Sequence, residues 1–378
     1  VDAGTGGEKD AALDHGTLIP LYFITKKYVD FDLVRIGLSG LPLTEHYRLG
    51  MLIKRTAEEL NRRVVYIASG DLSHKLREDG PYGFVPEGLE YDDRIMDIMG
   101  RAAFGELFDF NELLLEKVAE CGHRSFVIMA GALDRTAVRA DRLSHEGTFG
   151  VGYGICTYEV LSDEDGSDRN FLDVFSHKEE ARLRKKKSEE DVYVRLARMS
   201  LETYIRSGKE ITVEDIEEEL INGFIQDGGE RMPAEAMWES LISTRAGAFV
   251  SLHKSGRLRG CIGTISPTRD TLAGEIIENA VSASTRDPRF TPVTVDELPY
   301  IEYSVDVLSP AEPIESPEQL DVKRYGVIVT NGGRRGLLLP NLDTIDTVEQ
   351  QISIARKKAG IGENETVKLQ RFEVVRHI

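Results

Sequence analysis

Two stretches of this 378-residue chain carry side chains whose types and spacing suit chemistry. In Arg259-Gly260-Cys261-Ile262-Gly263-Thr264 two glycines bracket a cysteine, and Arg257 lies just ahead. Positive charge beside a thiol favours the thiolate, which is the nucleophilic form. The glycines mark backbone that something approaches closely, or that is held where a Cβ would clash. The chemistry on offer is a Cys261 nucleophile or radical acceptor near Arg259 and Asp287. The alternative is a buried thiol in a strand-to-helix turn, since buried cysteine is common. The second stretch is Ser69-Gly70-Asp71-Leu72-Ser73-His74, which follows the apolar run 64–68. An imidazole, with an ordinary pKa of about 6.5, suits proton transfer near neutrality.

These side chains need elements to position them. Residues 34–39 and 64–68 read as strands on either side of an amphipathic helix from Thr44, its cap, to about Arg62. That order implies a parallel βαβ unit, in which loops beyond the carboxyl ends of strands carry sites. His74 falls in such a loop. Helical patterns follow near 92–104 and 111–119, and Gly131-Ala132 suits a helix packed closely on a neighbour. A strand pair near 137–146 and 150–161 closes an α/β domain over residues 1–165, with a loop expected at its start (1–14). The acidic stretch 163–168 marks a boundary, and 166–184 reads as a charged linker. A long helix is expected from about 179 to 207. A second, α+β domain then spans 185–378. Its helices are expected near 212–223, 234–243, 271–284 and 347–359. Its strands are expected near 247–252, 258–262, 300–308, 326–330, 336–339 and 366–375.

Composition narrows the function classes. The formal net charge is −18, whereas nucleic-acid binding draws on a positive field that releases phosphate counterions. No nucleic-acid partner is expected; a small molecule or a protein is. No apolar run approaches the ~20 residues that cross a bilayer, so no membrane partner is expected. Three cysteines far apart, Cys121, Cys156 and Cys261, make no disulfide framework and suit a reducing cytoplasm.

Residues 185–378 resemble the AMMECR-type domain. The carriers are Arg259 to Thr264, Asp287-Pro288-Arg289-Phe290-Thr291-Pro292-Val293, Glu297-Leu298 and Gly336-Leu337-Leu338-Leu339-Pro340. The resemblance implies an α+β fold and a cleft lined by Arg259, Gly260, Cys261, Gly263, Asp287 and Arg289, with no reaction attached. Residues 1–165 resemble the C-terminal part of the Memo-like and class III extradiol dioxygenase (LigB-like) superfamily. The carriers there are Asp14-His15-Gly16, Ser69 to His74, and Cys121 with Gly131-Ala132 downstream. The pairing of the two domains resembles the AmmeMemoRadiSam system protein A type of fusion.

In ring-cleaving relatives two histidines and a carboxylate hold Fe(II) and leave positions for an aromatic diol and O₂. By this resemblance His74 matches the acid/base, and His15 a substrate-facing histidine. Cys121 falls where the dioxygenases place the ligating carboxylate and where Memo-like proteins have a cysteine. The two metal-binding histidines are expected upstream of Val1. The resemblance therefore implies an N-terminally truncated domain, with Fe(II) in a full-length protein and no cofactor for this chain alone. A small aromatic substrate and a radical-SAM protein are the partners it implies. Glu120 is an alternative ligand if the register shifts by one, while His123 is expected on the exposed side of its turn. His46, His145 and His177 have no supporting context. Three functions follow as expectations: an extradiol-type oxidoreductase, a non-catalytic partner-binding scaffold, and Cys261-centred chemistry in the second domain.

Overall fold

The computed structural model describes residues 13–342 and 345–378, apart from the side chain of Asp215. The loop expected over 1–14 lies, through residue 12, outside them. The chain divides into two compact units, Val1–Glu180 and Ala181–Ile378. No helix among the described residues is long and apolar enough to cross a membrane.

The first unit runs α1 (His15–Thr25), α2 (Leu43–Glu59), α3 (Pro86–Arg101), α4 (Glu112–Val118), α5 (His123–Ala132), β1 (Val138–Glu146) and β2 (Tyr153–Val160). The first half of α6 (Phe171–Glu189) completes it. Its core gathers Tyr47, Tyr91, Ile95, Ile98, Phe104, Leu107 and Val127. The closest packing is α2 on α5. A Cβ on Gly131 would overlap the Tyr47 carbonyl, and one on Gly50 would overlap that of Ile128. The absence of side chains at both positions is what lets the two backbones meet. The Tyr47 hydroxyl then donates to Asp134 across 2.8 Å and ties α2 to the end of α5.

Two expectations are corrected in this unit. Residues 34–39 and 64–68 form no strand, and α2 starts at Leu43 after Pro42 rather than on a Thr44 cap. A strand requires a neighbour to take its N–H and C=O groups. Neither run pairs with another strand among the described residues, and Val34 and Val65 are 80% and 88% exposed. The parallel βαβ arrangement is therefore not formed there. The unit's sheet is the antiparallel hairpin of β1 and β2, paired from Val138 opposite Val160 to Glu146 opposite Tyr153. Its class remains α/β, helices with a small antiparallel sheet.

The expected linker is largely helical, because α6 covers most of it, and the boundary between units falls inside that helix. The single long helix expected to Ser207 is in fact two. Asp191 is extended and its carboxylate accepts from the Tyr193 and Val194 N–H groups, capping α7 (Val192–Ser207). A short polar side chain that satisfies a helix's first donors starts a new helix rather than continuing the old one.

The second unit continues with α8 (Val213–Gln226), α9 (Arg231–Ser243), β3 (Ala248–Lys254), β4 (Arg257–Gly263), α10 (Leu272–Thr285) and β5 (Ile301–Leu308). After these come β6 (Glu312–Ile314), β7 (Gly326–Asn331), β8 (Arg334–Leu338), α11 (Val348–Lys358), β9 (Lys368–Phe372) and β10 (Val374–His377). Two antiparallel sheets result, ordered β10-β5-β3-β4 and β6-β9-β7-β8, and the unit is α+β. Alternate residues of β3 and β5, Val250, Leu252, Tyr303 and Val305, share one core with Ile276 and Ala280 of α10 and Leu196 of α7. The single terminal strand expected over 366–375 is split between the sheets. Glu373 makes the crossover, its N–H donating to Ser309 Oγ and its carbonyl accepting from Ser309 N–H.

Gly131→Val is expected to lower the unfolding free energy by about 1–3 kcal/mol, the range for overpacking a close contact. A drop in denaturant midpoint with an unchanged slope would show it; an unmoved midpoint would contradict the α2–α5 approach.

Candidate active site

The loop that carries His74 is held by the elements around it, not by a strand ladder of its own. Leu72 N–H donates to Gly152 O at 2.9 Å, and Gly152 N–H to Ser73 O at 2.7 Å, just ahead of β2. His74 N–H reaches Val118 O at the end of α4, 3.1 Å away. Beneath them the buried Asp92 of α3 accepts from Ser73 N–H at 2.8 Å. Burial raises the pKa of Asp92, and the hydrogen bonds from Ser73 and His145 oppose it.

Two other motifs dock on this loop. Ser69 Oγ donates to Gly16 O across 2.7 Å, bringing in the Asp14-His15-Gly16 turn at the head of α1. Asp71 and Cys121 exchange bonds: Cys121 N–H donates to Asp71 O at 3.3 Å, and Asp71 N–H to Cys121 Sγ at 3.1 Å. Gly70 and Gly122 sit backbone to backbone at that junction: a Cβ on Gly70 would overlap the Gly122 main chain, and one on Gly122 would strike the Phe126 ring. Three segments far apart in sequence thus converge.

At the convergence one ligand atom each from Asp71, His74 and Cys121 lies within 4.8 Å of the others. His74 Nε2 stands 3.4 Å from Asp71 Oδ2, within ion-pair reach, yet it is buried and makes no hydrogen bond. The Tyr82 ring stacks on the imidazole, centroids 5.0 Å apart and planes at 26°. Cys121 is an exposed residue, but partial burial of its thiol pushes the pKa up, and the negative charges of Asp71 and Glu120 add to that. The Asp71 N–H bond to sulfur works the other way. A carboxylate, an imidazole and a thiol with an unpartnered buried nitrogen among them are a donor set that fits a metal ion.

Of the expected residues, His74 and Cys121 meet in this group. His15 is the first residue of α1, exposed, and outside the three-donor group. His123 is corrected: it is fully buried, its Nε2 hydrogen-bonded with Leu107 O and its Nδ1 with the Tyr91 hydroxyl. Burial depresses its pKa to about 4. The Glu120 carboxylate accepts from His123 N–H and so closes the start of α5 instead of joining the donors. His46 is buried against Pro42 O, and His145 leans on Asp92. Asp71 escaped the sequence reading although it sits three residues before His74 in the same motif. That Asp-x-x-His spacing in a loop was its available signal. Tyr82 had none.

In the second unit Cys261 lies within β4, not in a turn. Its Sγ accepts from Ser251 Oγ on the facing strand, 3.3 Å away. Arg259 turns away to a half-sheltered ion pair with Glu297, at 3.0 Å through both Nε and Nη2. That guanidinium, with burial opposing it, holds the Glu297 carboxyl down to about 2. The cation beside Cys261 is instead Arg289. Its guanidinium grips Asp287 at 2.9 and 2.7 Å and reaches Cys261 O at 3.3 Å, while Asp287 accepts from Cys261 N–H at 2.9 Å. One buried aspartate and its arginine thus cap both outward backbone groups of a residue on an edge strand, a place where open N–H and C=O groups invite unwanted pairing. Gly260 faces α10 and Gly263 faces Phe249.

Comparison with known proteins joins the two units. Residues 3–156 match the family of the catalytic LigB subunit of aromatic ring-opening dioxygenase, and residues 194–377 match AMMECR1. Protein CA_C1420 of Clostridium acetobutylicum is 43% identical over 370 residues, which are 97% of this chain and 73% of that protein. The chain belongs to the family that fuses a LigB-type domain to an AMMECR1 domain. A Thermotoga maritima protein is 48% identical over 190 residues, 50% of this chain and 98% of its own length. Among solved structures, the Uncharacterized Protein PH0010 from Pyrococcus horikoshii is 29% identical, covers 50% of this chain and 89% of its own, and has a TM-score of 0.41. In the fusion, then, the Asp71–His74–Cys121 group belongs to the LigB-type part and the capped Cys261 to the AMMECR1 part.

The Arg289 hydrogen bond holds the Asp287 carboxyl at about 2, below its ordinary 3.8, with the Cys261 and Arg289 N–H groups adding to it. A depressed carboxylate contributes stability that is present above its ordinary pKa and lost as pH falls toward the folded value. Stability of the fusion should therefore fall between pH 3.8 and 2. Asp287→Asn should be less stable above that window and flatter within it, which denaturant unfolding at stepped pH would read. Parallel pH profiles for the two proteins would contradict the assignment.

Proposed function

We propose that the LigB-type unit is an oxidoreductase site of the ring-opening dioxygenase kind, acting on a small aromatic diol with O₂. The observation that carries this reading is the position of His74: a buried, hydrogen-bond-free Nε2 beside Asp71 and Cys121. In this reading Nε2 accepts a proton from a substrate hydroxyl and later returns it. Asp71, 3.4 Å away, stabilises the imidazolium formed in between. The Tyr82 ring limits the imidazole's rotation from one side. His15, at the neighbouring turn, faces the substrate. Cys121 would help to hold Fe(II), which when bound supplies the activation of O₂ and diol together. The two-domain pairing supports a place in the AmmeMemoRadiSam system beside a radical-SAM protein. Three unpaired cysteines support a cytoplasmic setting.

A non-catalytic scaffold is the second reading. What favours it is Cys121, a thiol with a raised pKa at the position where ring-cleaving relatives are implied to carry a carboxylate. Cys261-centred chemistry has the support of the Ser251 hydroxyl and the adjacent Arg289.

The deciding measurement is O₂ uptake with catechols by iron-loaded full-length protein. His74→Ala is expected to lower turnover by about 10²- to 10⁴-fold, the usual worth of general acid–base catalysis, with the iron content of the variant measured alongside. Turnover retained in that variant would remove His74 from the mechanism. Stoichiometric iron without substrate-dependent uptake would favour the scaffold.

A further inference from the structure

We infer that Asp92 is a positioning residue for His74: from α3 it holds the turn that sets the imidazole beside Asp71 and beneath Tyr82. The inference deepens the oxidoreductase reading and rests on it for what the pose is used for. The pose itself is measurable without any turnover. The starting point is a buried carboxylate that the proposed proton transfer leaves unused.

Asp71 and His74 are three residues apart, and the 3.4 Å between their side chains depends on the conformation of the two residues between them, Leu72 and Ser73. Both of these are buried. Ser73 has every polar group engaged. Its N–H donates to Asp92 Oδ1 at 2.8 Å, and its carbonyl accepts from Gly152 N–H at 2.7 Å. Its hydroxyl donates to Val118 O at 3.2 Å and accepts from Lys75 N–H at 3.1 Å. Among these partners Asp92 alone acts through a side chain, so it is the one that a substitution can remove.

A carboxylate taken out of water needs hydrogen bonds or an opposite charge to offset its lost hydration. Asp92 is buried, and its partners are the Ser73 N–H on Oδ1 and His145 Nε2, 3.4 Å from Oδ2. Gly152 leaves the space for Oδ2, since a Cβ there would overlap that oxygen. His145 lies on β1, opposite Gly154 of β2. The carboxylate therefore ties α3, the hairpin and the His74 loop together at one point. Asparagine has the same shape and one oxygen, enough for the Ser73 N–H. Alanine leaves that N–H buried without an acceptor, which costs free energy.

Loss of the acceptor beneath Ser73 frees the turn, and with it the two separations on which the acid–base role depends: Asp71 to His74, and His74 to Tyr82. A displacement of about 1 Å at a reacting group is enough to cost about 100-fold in rate. Asp92 acts through Ser73 and not on the substrate.

Nuclear magnetic resonance of the full chain, with carbon-13 in its histidine rings, reads the pose. The His74 ring protons are expected upfield of those of a free imidazole, because the Tyr82 ring stacks on them. His74→Gln identifies the signal, and Tyr82→Leu removes the displacement. Asp92→Ala, shown to be folded by circular dichroism, is expected to lose most of the displacement, and Asp92→Asn to keep it. In the O₂ assay with full-length protein, Asp92→Ala should lower kcat by about 10- to 100-fold with KM unchanged, and Asp92→Asn should restore it. A displacement that survives in Asp92→Ala would overturn the proposal, and so would an equal loss in both variants. If Asp92→Ala does not fold, Asp92→Asn decides alone. The Ser73 amide proton, held downfield by its bond to a carboxylate, should then move upfield while the His74 signal stays; an unmoved amide would overturn the proposal. The two readings fail separately. Absent O₂ uptake removes the oxidoreductase reading and leaves these signals standing, whereas uptake with an unmoved His74 signal in Asp92→Ala removes the positioning role alone.

Discussion

The pair of hydrogen bonds exchanged by Asp71 and Cys121 is the constraint on which the chemistry of the first unit depends. One runs from the Cys121 N–H to the Asp71 carbonyl, the other from the Asp71 N–H to the Cys121 sulfur. Together they set a loop after residue 68 against the short connection into α5. Backbone bonds of this kind are worth only about 1 kcal/mol each in net stability, so their importance is positional. They bring a carboxylate, an imidazole and a thiol into one small volume, and the loop's bonds to Gly152 and Val118 keep them there. The glycine pair Gly70 and Gly122 is the steric condition for that junction.

The second unit uses charge differently. Its carboxylates near Cys261 are taken up by arginines: Asp287 by Arg289, Glu297 by Arg259. The Asp287–Arg289 pair also satisfies the outward N–H and C=O of an edge strand, a structural task that accounts for both side chains without a ligand. In the first unit the Nε2 of His74 makes no hydrogen bond, although the Asp71 carboxylate stands 3.4 Å away. A satisfied pair holds a fold together, whereas an unsatisfied buried nitrogen among other donors is poised for a substrate or an ion.

Much of this was legible in sequence. Hydrophobic periodicity placed most helices of both units, α1 and the separation of α6 from α7 excepted, and nearly all strands of the second, because each of those elements buries one face and so prints its period on the chain. Gly131 announced a close helix contact. The runs 34–39 and 64–68 misled for a definite reason: they have the composition of strands, but composition cannot supply a pairing partner. Asp191 misled in the opposite sense, since one polar side chain split a charge-rich helical pattern into two helices.

The sequence by itself determined the order of the two domains, the identity of the motifs and the candidacy of His74 and Cys121. The boundary and the placing of His74 follow from residue types and local spacing; the identity of the domains and the candidacy of Cys121 follow from the family resemblance those motifs carry. Tertiary structure alone decided that Asp71 joins them, that Tyr82 covers the imidazole, that His123 is a core residue and that Arg289 rather than Arg259 stands beside Cys261. Those outcomes turn on a few ångströms between segments that lie tens of residues apart. Such distances are set by how helices and loops pack, and no local pattern in the chain records them.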